Sequence, residues 1–335
     1  MKAVTLTGPG RFGMVDRPAP EAGAQAIVAI EQVGLCGTDL KIHGGDIPVE
    51  YPRVLGHEIV GRLVAPGSRG LLAPGTRVLV DPAVACHHCR ECRADRPNLC
   101  PNGALLGRDL DGGLVEAIAV DELQLHPLAD SLSPATTSVL QVLGTCVHAQ
   151  RITPPAGRGL AVVVGLGVAG LLHLQLLRRA GREVIGITRS AAKRDLAERF
   201  GAVAVGDPES AEDLVRVRTA GAGAALVVEA IGSVETLALA VRLAAPGAVI
   251  TQYGTITETG VGAVMPWYEL YHKELRIVNP RAALGRDYRT AIAMAEAAEL
   301  DLDVLWSGSY ALADVATAFG AIGPGSPRVK VTIDV

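Results

Sequence analysis

Leu160–Val164 is a short apolar run dominated by valine, and Gly165-Leu166-Gly167-Val168-Ala169-Gly170 follows it directly. Ala169 to Ala180 then reads as an apolar helix. In a chain with 39 glycines a bare Gly-x-Gly-x-x-Gly would carry little weight. A buried strand before it and a helix after it change that, because this context is what a dinucleotide pyrophosphate requires. Glycine lets the turn close tightly and lets backbone approach the anion, while the helix N-terminus offers unpaired N–H groups. Gly165, Gly167, Val168 and Gly170 are therefore candidate coenzyme contacts.

The alternation continues downstream. Glu183–Ile187, Leu226–Glu229, Ala248–Thr251 and Leu275–Val278 read as buried strands, with helices expected over Ala192–Phe200 and Val234–Ala244. Strands alternating with helices imply βαβ units and a doubly wound parallel sheet of Rossmann type. Tyr288–Ala298 reads as a further helix and Val329–Ile333 as a closing strand. The first ~150 residues differ: short β-type runs at Ala26–Val33, Ile59–Leu63, Thr76–Val80 and Glu116–Val120 are separated by Gly/Pro turns. A chain of 335 residues fits two domains, and Pro154-Pro155 and Ala282–Arg286 are the candidate hinges.

Cys86, Cys89, Cys92 and Cys100 fall within fifteen residues as Cys-x2-Cys-x2-Cys-x7-Cys. Four thiolates able to close around one ion make the fully occupied tetrahedral site of a structural zinc. The intervening His87, His88, Arg90, Glu91, Arg93, Asp95 and Arg96 cannot build a core, so metal is the natural organiser. A zinc ribbon gripping nucleic acid is the rival, but net charge is −4 and the basic residues do not cluster. No nucleic-acid partner is expected on that ground. No apolar stretch is long enough to span a bilayer and the N-terminal segment lacks a signal-peptide core, so the chain reads as cytoplasmic with no membrane partner.

This lobe, the preceding Gly34-Leu35-Cys36-Gly37-Thr38-Asp39 segment and Gly56-His57-Glu58 resemble the zinc-containing medium-chain alcohol, polyol and threonine dehydrogenases. The Gly112-Gly113 turn, the Rossmann half and the Lys330-Val331 strand extend the match over essentially the whole chain. The resemblance implies an α/β protein: a GroES-like, mostly β catalytic domain over residues 1–150, a Rossmann NAD(P)-binding domain over 151–284, and a return to the catalytic domain over 285–335. It also implies a homodimer or homotetramer, and an enzyme that transfers hydride between NAD(P) and a small secondary alcohol or polyol and its ketone. Two zinc ions per subunit are expected, the second acting as a Lewis acid on the substrate oxygen.

For that catalytic zinc the resemblance assigns Cys36, His57 and Glu58, the last as a ligand or a nearby carboxylate. Gln141 stands at the third ligand's place, where related enzymes carry Cys or a carboxylate. A neutral amide oxygen is a poorer ligand, so the ion is expected to be more electrophilic or less tightly held. Cys146 and His148, further along the same helix, are expected to pack. Thr38 matches the hydroxyl that starts the family's proton relay, and His43 is the candidate to pass the proton on, since its pKa suits neutral pH.

The end of the second Rossmann strand selects the coenzyme. An acidic residue there would hold the ribose hydroxyls of NAD. Ile187 is instead followed by Thr188-Arg189-Ser190, with Lys193 and Arg194 behind and no carboxylate before Asp195. Thr188, Arg189, Ser190 and Arg194 can accommodate a 2′-phosphate, which predicts NADP over NAD. Trp267, Tyr268, Tyr271 and His272 form a cluster that fits a substrate pocket or a subunit interface, and Tyr51 and Leu110–Asp111 approach the pocket by family position. Two other readings share the fold. An NADPH-dependent reductase of an activated carbon–carbon double bond, without functional catalytic zinc, is kept open by Gln141 and opposed by Cys36, His57 and Glu58. A non-catalytic coenzyme-binding protein is opposed by Thr38.

Overall fold

The computed structural model describes every residue except 158, 258–264 and 324. Its contacts divide the chain into two units, Met1–Gly144 with Ala282–Val335, and Thr145–Arg281. The first boundary falls inside the helix Leu140–Ile152, and Pro154-Pro155 lies in the second unit.

The first unit is built on a sheet whose strands run in the order Leu125–Pro127, Arg77–Val80, Glu58–Ala65, Ala26–Gly34, Lys330–Asp334 and Trp306–Ala311. Ala117–Val120 pairs with Ala26–Gly34 off that path. A smaller sheet of Arg11–Asp16, Lys2–Gly8 and Arg53–Val54 lies beside it in the same unit. The apolar residues of these strands, with Leu55, Leu114, Val315 and Phe319, form one continuous core. Ala26–Gly34 is central, paired antiparallel on both edges and buried along most of its length, with Glu31 and Gln32 its two polar residues. The closing strand Lys330–Asp334 is buried at four of its five positions and pairs Thr332 with Gly34. Lys330, two residues before Thr332, is thereby brought to the end of Ala26–Gly34.

The second unit holds a six-stranded sheet in the order Ala204–Gly206, Val184–Ile187, Ala161–Val164, Ala224–Glu229, Ala244–Gln252 and Arg276–Val278. Every neighbouring pair is parallel. The order reverses between Ala161–Val164 and Ala224–Glu229, the switch point of a doubly wound fold. The helix Val168–Arg179 is buried on every side from Gly170 to Leu177, whereas Ala211–Arg218 is amphipathic and buries only Ala211 and Val215. The α/β reading of this half holds, with strand limits within a few residues of expectation. The hairpin Lys2–Gly8/Arg11–Asp16 and the strand Trp306–Ala311 did not stand out in the sequence, because Gly and polar residues interrupt their alternation. Among the described residues no helix is long and apolar enough to cross a membrane.

Candidate active site and metal centres

In the cysteine lobe the four sulfurs converge, each within 4.8 Å of the others. Cys86–Cys92, Cys89–Cys100 and Cys86–Cys100 are separated by 4.0, 3.8 and 3.5 Å. A tetrahedron of sulfurs around zinc has edges of about 3.8 Å, so the spacing fits the ion. Backbone geometry sets it. Cys89 caps the one-turn helix Arg90–Arg93 and accepts the Cys92 N–H, while the Cys86 N–H points at Cys100. The backbone of His88 draws the Cys86 thiol down to about 6, whereas burial and the neighbouring sulfurs push Cys92 up to about 12. Sulfurs this close cannot all ionise without a cation among them. No disulfide joins any of the six cysteines.

The second cluster is Cys36, His57 and Glu58, whose ligand atoms also lie within 4.8 Å of one another. Cys36 caps the helix Gly37–Gly44: its sulfur accepts the Thr38 N–H at 3.3 Å, and Asp39 accepts the Cys36 N–H at 3.0 Å. His57 is buried just before the strand Glu58–Ala65, with Nε2 3.0 Å from the Cys36 sulfur. Its other ring nitrogen, Nδ1, lies 3.3 Å from Oδ1 of fully buried Asp39, off the angle of a proper hydrogen bond. Burial opposes both charges, but the Cys36 and Asp39 charges raise the His57 pKa well above its ordinary value, and His57 in turn holds Asp39 low. Thiolate, imidazole and carboxylate together, with a carboxylate behind the imidazole, suit a zinc ion.

Glu58 has a further partner. Lys330, fully buried, forms an ion pair with its carboxylate and donates to the Leu35 carbonyl at 3.0 Å. Thr38 and His43 belong to the same helix, yet no hydrogen bond joins them. Five residues apart, they leave the helix in different directions. The His43 ring instead stacks on Phe12 at 5.0 Å and leans on Phe319, and partial burial lowers its pKa.

Gln141 is buried, and its amide nitrogen donates to the Tyr288 hydroxyl at 3.4 Å. Tyr288 is itself fully buried and hydrogen-bonds Asp81. Burial first, then the charges of Asp81, Asp287 and Glu58, hold its hydroxyl well above the ordinary range, so it keeps its proton. That proton goes to Asp81 and leaves an oxygen lone pair for Gln141. The amide oxygen of Gln141 is thus the atom left for another partner. Gly144 is required one turn along: a Cβ there would lie 2.3 Å from the Tyr288 ring. Cys146 is fully buried, its sulfur 3.7 Å from the Ala169 carbonyl, and His148 is buried beside Arg151.

In the second unit, Gly165 has a φ of +92°, and a Cβ on Gly170 would lie 1.8 Å from the Gly165 carbonyl oxygen. Around Gly167 the corresponding space is open, at the N-terminus of the helix Val168–Arg179. Past the second strand, Arg194 donates to the Thr188 carbonyl at 2.8 Å and the Thr188 hydroxyl accepts the Ser190 N–H at 3.4 Å. Arg189 is exposed and makes no ion pair among the described residues. Trp267, Tyr268 and Tyr271 are largely exposed on the short helix Trp267–His272. In the first unit, Asp111 accepts from Arg17 at 2.7 Å and from the Val54 N–H at 3.0 Å, so it ties down a loop.

Asp39, Asp81, Tyr288 and Lys330 had no functional assignment from sequence. A lysine between the valines Val329 and Val331 of the closing segment was the available signal, since such a charge needs a buried partner.

The alcohol dehydrogenase GroES-like domain matches residues 22–130, and the zinc-binding dehydrogenase domain matches 168–297. The L-galactonate-5-dehydrogenase of Escherichia coli strain K12 is 29% identical over 303 residues, 88% of this chain and 87% of that protein. A protein of Sinorhizobium meliloti 1021 described as a zinc-binding dehydrogenase, bound to NADP, superposes with a TM-score of 0.90 at 31% identity. That match covers 100% of this chain and 99% of the other. Galactitol-1-phosphate dehydrogenase from Escherichia coli gives a TM-score of 0.91 at 26% identity over 100% of both chains.

Proposed function

Because the chain belongs to the zinc-containing medium-chain alcohol and polyol dehydrogenase family, we propose that it oxidises one secondary hydroxyl of a small polyhydroxy compound reversibly to the ketone, using NADP and two zinc ions per subunit. The observation that carries this is the convergence of Cys36, His57 and Glu58 into one cluster of the first unit, a donor set suited to zinc. When bound there, zinc supplies the Lewis acidity that lowers the alcohol's pKa, and the nicotinamide takes the hydride.

The chain's own residues do the rest. Cys36 and His57 hold the ion, with Asp39 orienting the imidazole through Nδ1. Gln141 offers its amide oxygen as a neutral ligand, because Tyr288 engages its nitrogen. Thr38 passes the hydroxyl proton away from the reacting oxygen, since a hydroxyl both accepts and donates. His43, between two phenylalanine rings and lowered in pKa, is neutral at pH 7 and serves as a proton acceptor towards solvent. In the second unit the Gly165–Gly170 turn takes the pyrophosphate, and unpaired Arg189 with Ser190 takes the 2′-phosphate. Cys86, Cys89, Cys92 and Cys100 hold the structural zinc. Polyhydroxy substrates are favoured because galactonate and galactitol phosphate are named for the relatives.

The test is zinc content per subunit together with turnover of a panel of sugar alcohols and sugar acids with NADP and with NAD. Two zinc ions and NADP-linked oxidation support the reading. A single zinc, with NADPH consumed only by activated alkenes, overturns it in favour of the double-bond reductase.

A further inference from the structure

Glu58 is claimed twice: it belongs to the Cys36–His57 cluster, and it is ion-paired with Lys330. The backbone builds the second claim deliberately into the sheet. Gly34 stands directly opposite Glu58 across one ladder and opposite Thr332 across the other. A Cβ on Gly34 would lie 2.6 Å from Glu58 Oε2 and 2.8 Å from both Cε and Nζ of Lys330. The bare glycine surface is therefore the space the ion pair occupies. The Leu35 carbonyl fixes Lys330 Nζ at 3.0 Å, and the side chain has no access to water. Both side chains are buried, and of the two only Glu58 has a second set of neighbours to turn to, Cys36 and His57.

We propose that Lys330 is a positioning residue that restrains Glu58 from becoming a permanent metal ligand. Cys36 and His57 then remain the fixed donors, and Glu58 binds the ion only when it gives up Lys330. Gln141 makes this restraint matter. A neutral amide already removes one negative charge from the ligand set, and a carboxylate held by a cation contributes less of its own. The ion keeps its electrophilicity and a coordination position open to the substrate oxygen. This inference rests on the zinc reading of the pocket.

The test replaces Lys330 in the full-length protein loaded with cobalt, whose visible spectrum reports coordination independently of turnover. In Lys330→Met the carboxylate loses its cation and turns to the metal. Release of cobalt from this pocket to a chelator is expected to slow by ~10-fold or more, a size typical of residues that position ligands. The visible bands shift with the added oxygen ligand, and kcat with polyol falls. Lys330→Arg stays near the wild type. Lys330→Gln, which keeps hydrogen bonds to Glu58 and Leu35 and loses only the charge, moves in the same direction and decides the matter if the methionine variant does not fold. In a Glu58→Gln background, Lys330→Gln has no effect on release.

Unchanged or faster cobalt release in both Lys330 variants overturns the inference while leaving the zinc reading intact. So does a Lys330 effect that persists without the Glu58 carboxylate. A wild-type pocket that takes up no cobalt, shown by equal metal content in Cys36→Ser, overturns the zinc reading and this inference together.

Discussion

Asp81→Asn exchanges one atom and removes one titration. Asp81 follows the strand Arg77–Val80, accepts the Ala83 N–H at 2.9 Å and the Tyr288 hydroxyl, and yet burial lifts its pKa to about 7 from an ordinary 3.8. Between those values the folded protein holds a proton that the unfolded chain has released. The stability concerned is fully present below the unfolded pKa and is lost as pH rises through the folded one. Each pH unit in that window costs about 1.4 kcal/mol, so the loss is roughly 4 kcal/mol in all, with roughly 3 kcal/mol of it between about pH 5 and about pH 8. Asparagine has no proton to lose. Its Oδ1 keeps the Ala83 bond, but its amide nitrogen can only donate, whereas the oxygen of the neutral acid facing Tyr288 can also accept. Tyr288, which already accepts from the Gln141 amide, then meets a second donor and its own proton loses its acceptor, a loss of on the order of 1–2 kcal/mol. The variant should thus be less stable than wild type near pH 4 and more stable near pH 8, by about 2 kcal/mol. Urea unfolding followed by Trp306 fluorescence measures this in the first unit; the chain has two tryptophans, so a Trp267→Phe background leaves Trp306 as sole reporter. Wild-type and variant stabilities that run parallel from about pH 5 to about pH 8 would refute the assignment of a neutral, buried Asp81.

Three further outcomes are expected. Gly170→Ala forces a Cβ onto the Gly165 carbonyl oxygen; NADPH affinity, read by fluorescence titration, should fall at least ~10-fold, and wild-type affinity would show that the turn can yield. Arg189→Ala should lower kcat/KM with NADP by ~10- to 100-fold, the worth of a charge-assisted phosphate contact, and leave NAD within about twofold; equal losses with both coenzymes would remove Arg189 from the 2′-phosphate site. Cys100→Ser should cost one zinc per subunit by elemental analysis and lower the thermal midpoint, since a structural zinc contributes folding energy directly. A variant retaining both zinc ions would place the metal elsewhere.

Local signals made much of this protein legible. The glycine turn after Leu160–Val164 is readable because the strand, the turn and the helix are contiguous, and the geometry a pyrophosphate needs is made within them. The cysteine lobe is readable for the same reason: its four cysteines fall within fifteen residues and can converge whatever surrounds them. Cys36 and His57 are intermediate, since their meaning came from resemblance and their 3.0 Å approach from folding. What tertiary structure alone decided is how these side chains are held. Lys330 meets Glu58 across 272 residues, and Tyr288 meets Gln141 across 147. No sequence period relates such positions. Strand order brings the closing strand against Ala26–Gly34, and burial then forces each polar group to find a partner, because an unpaired charge in that interior would cost more than the fold can spare.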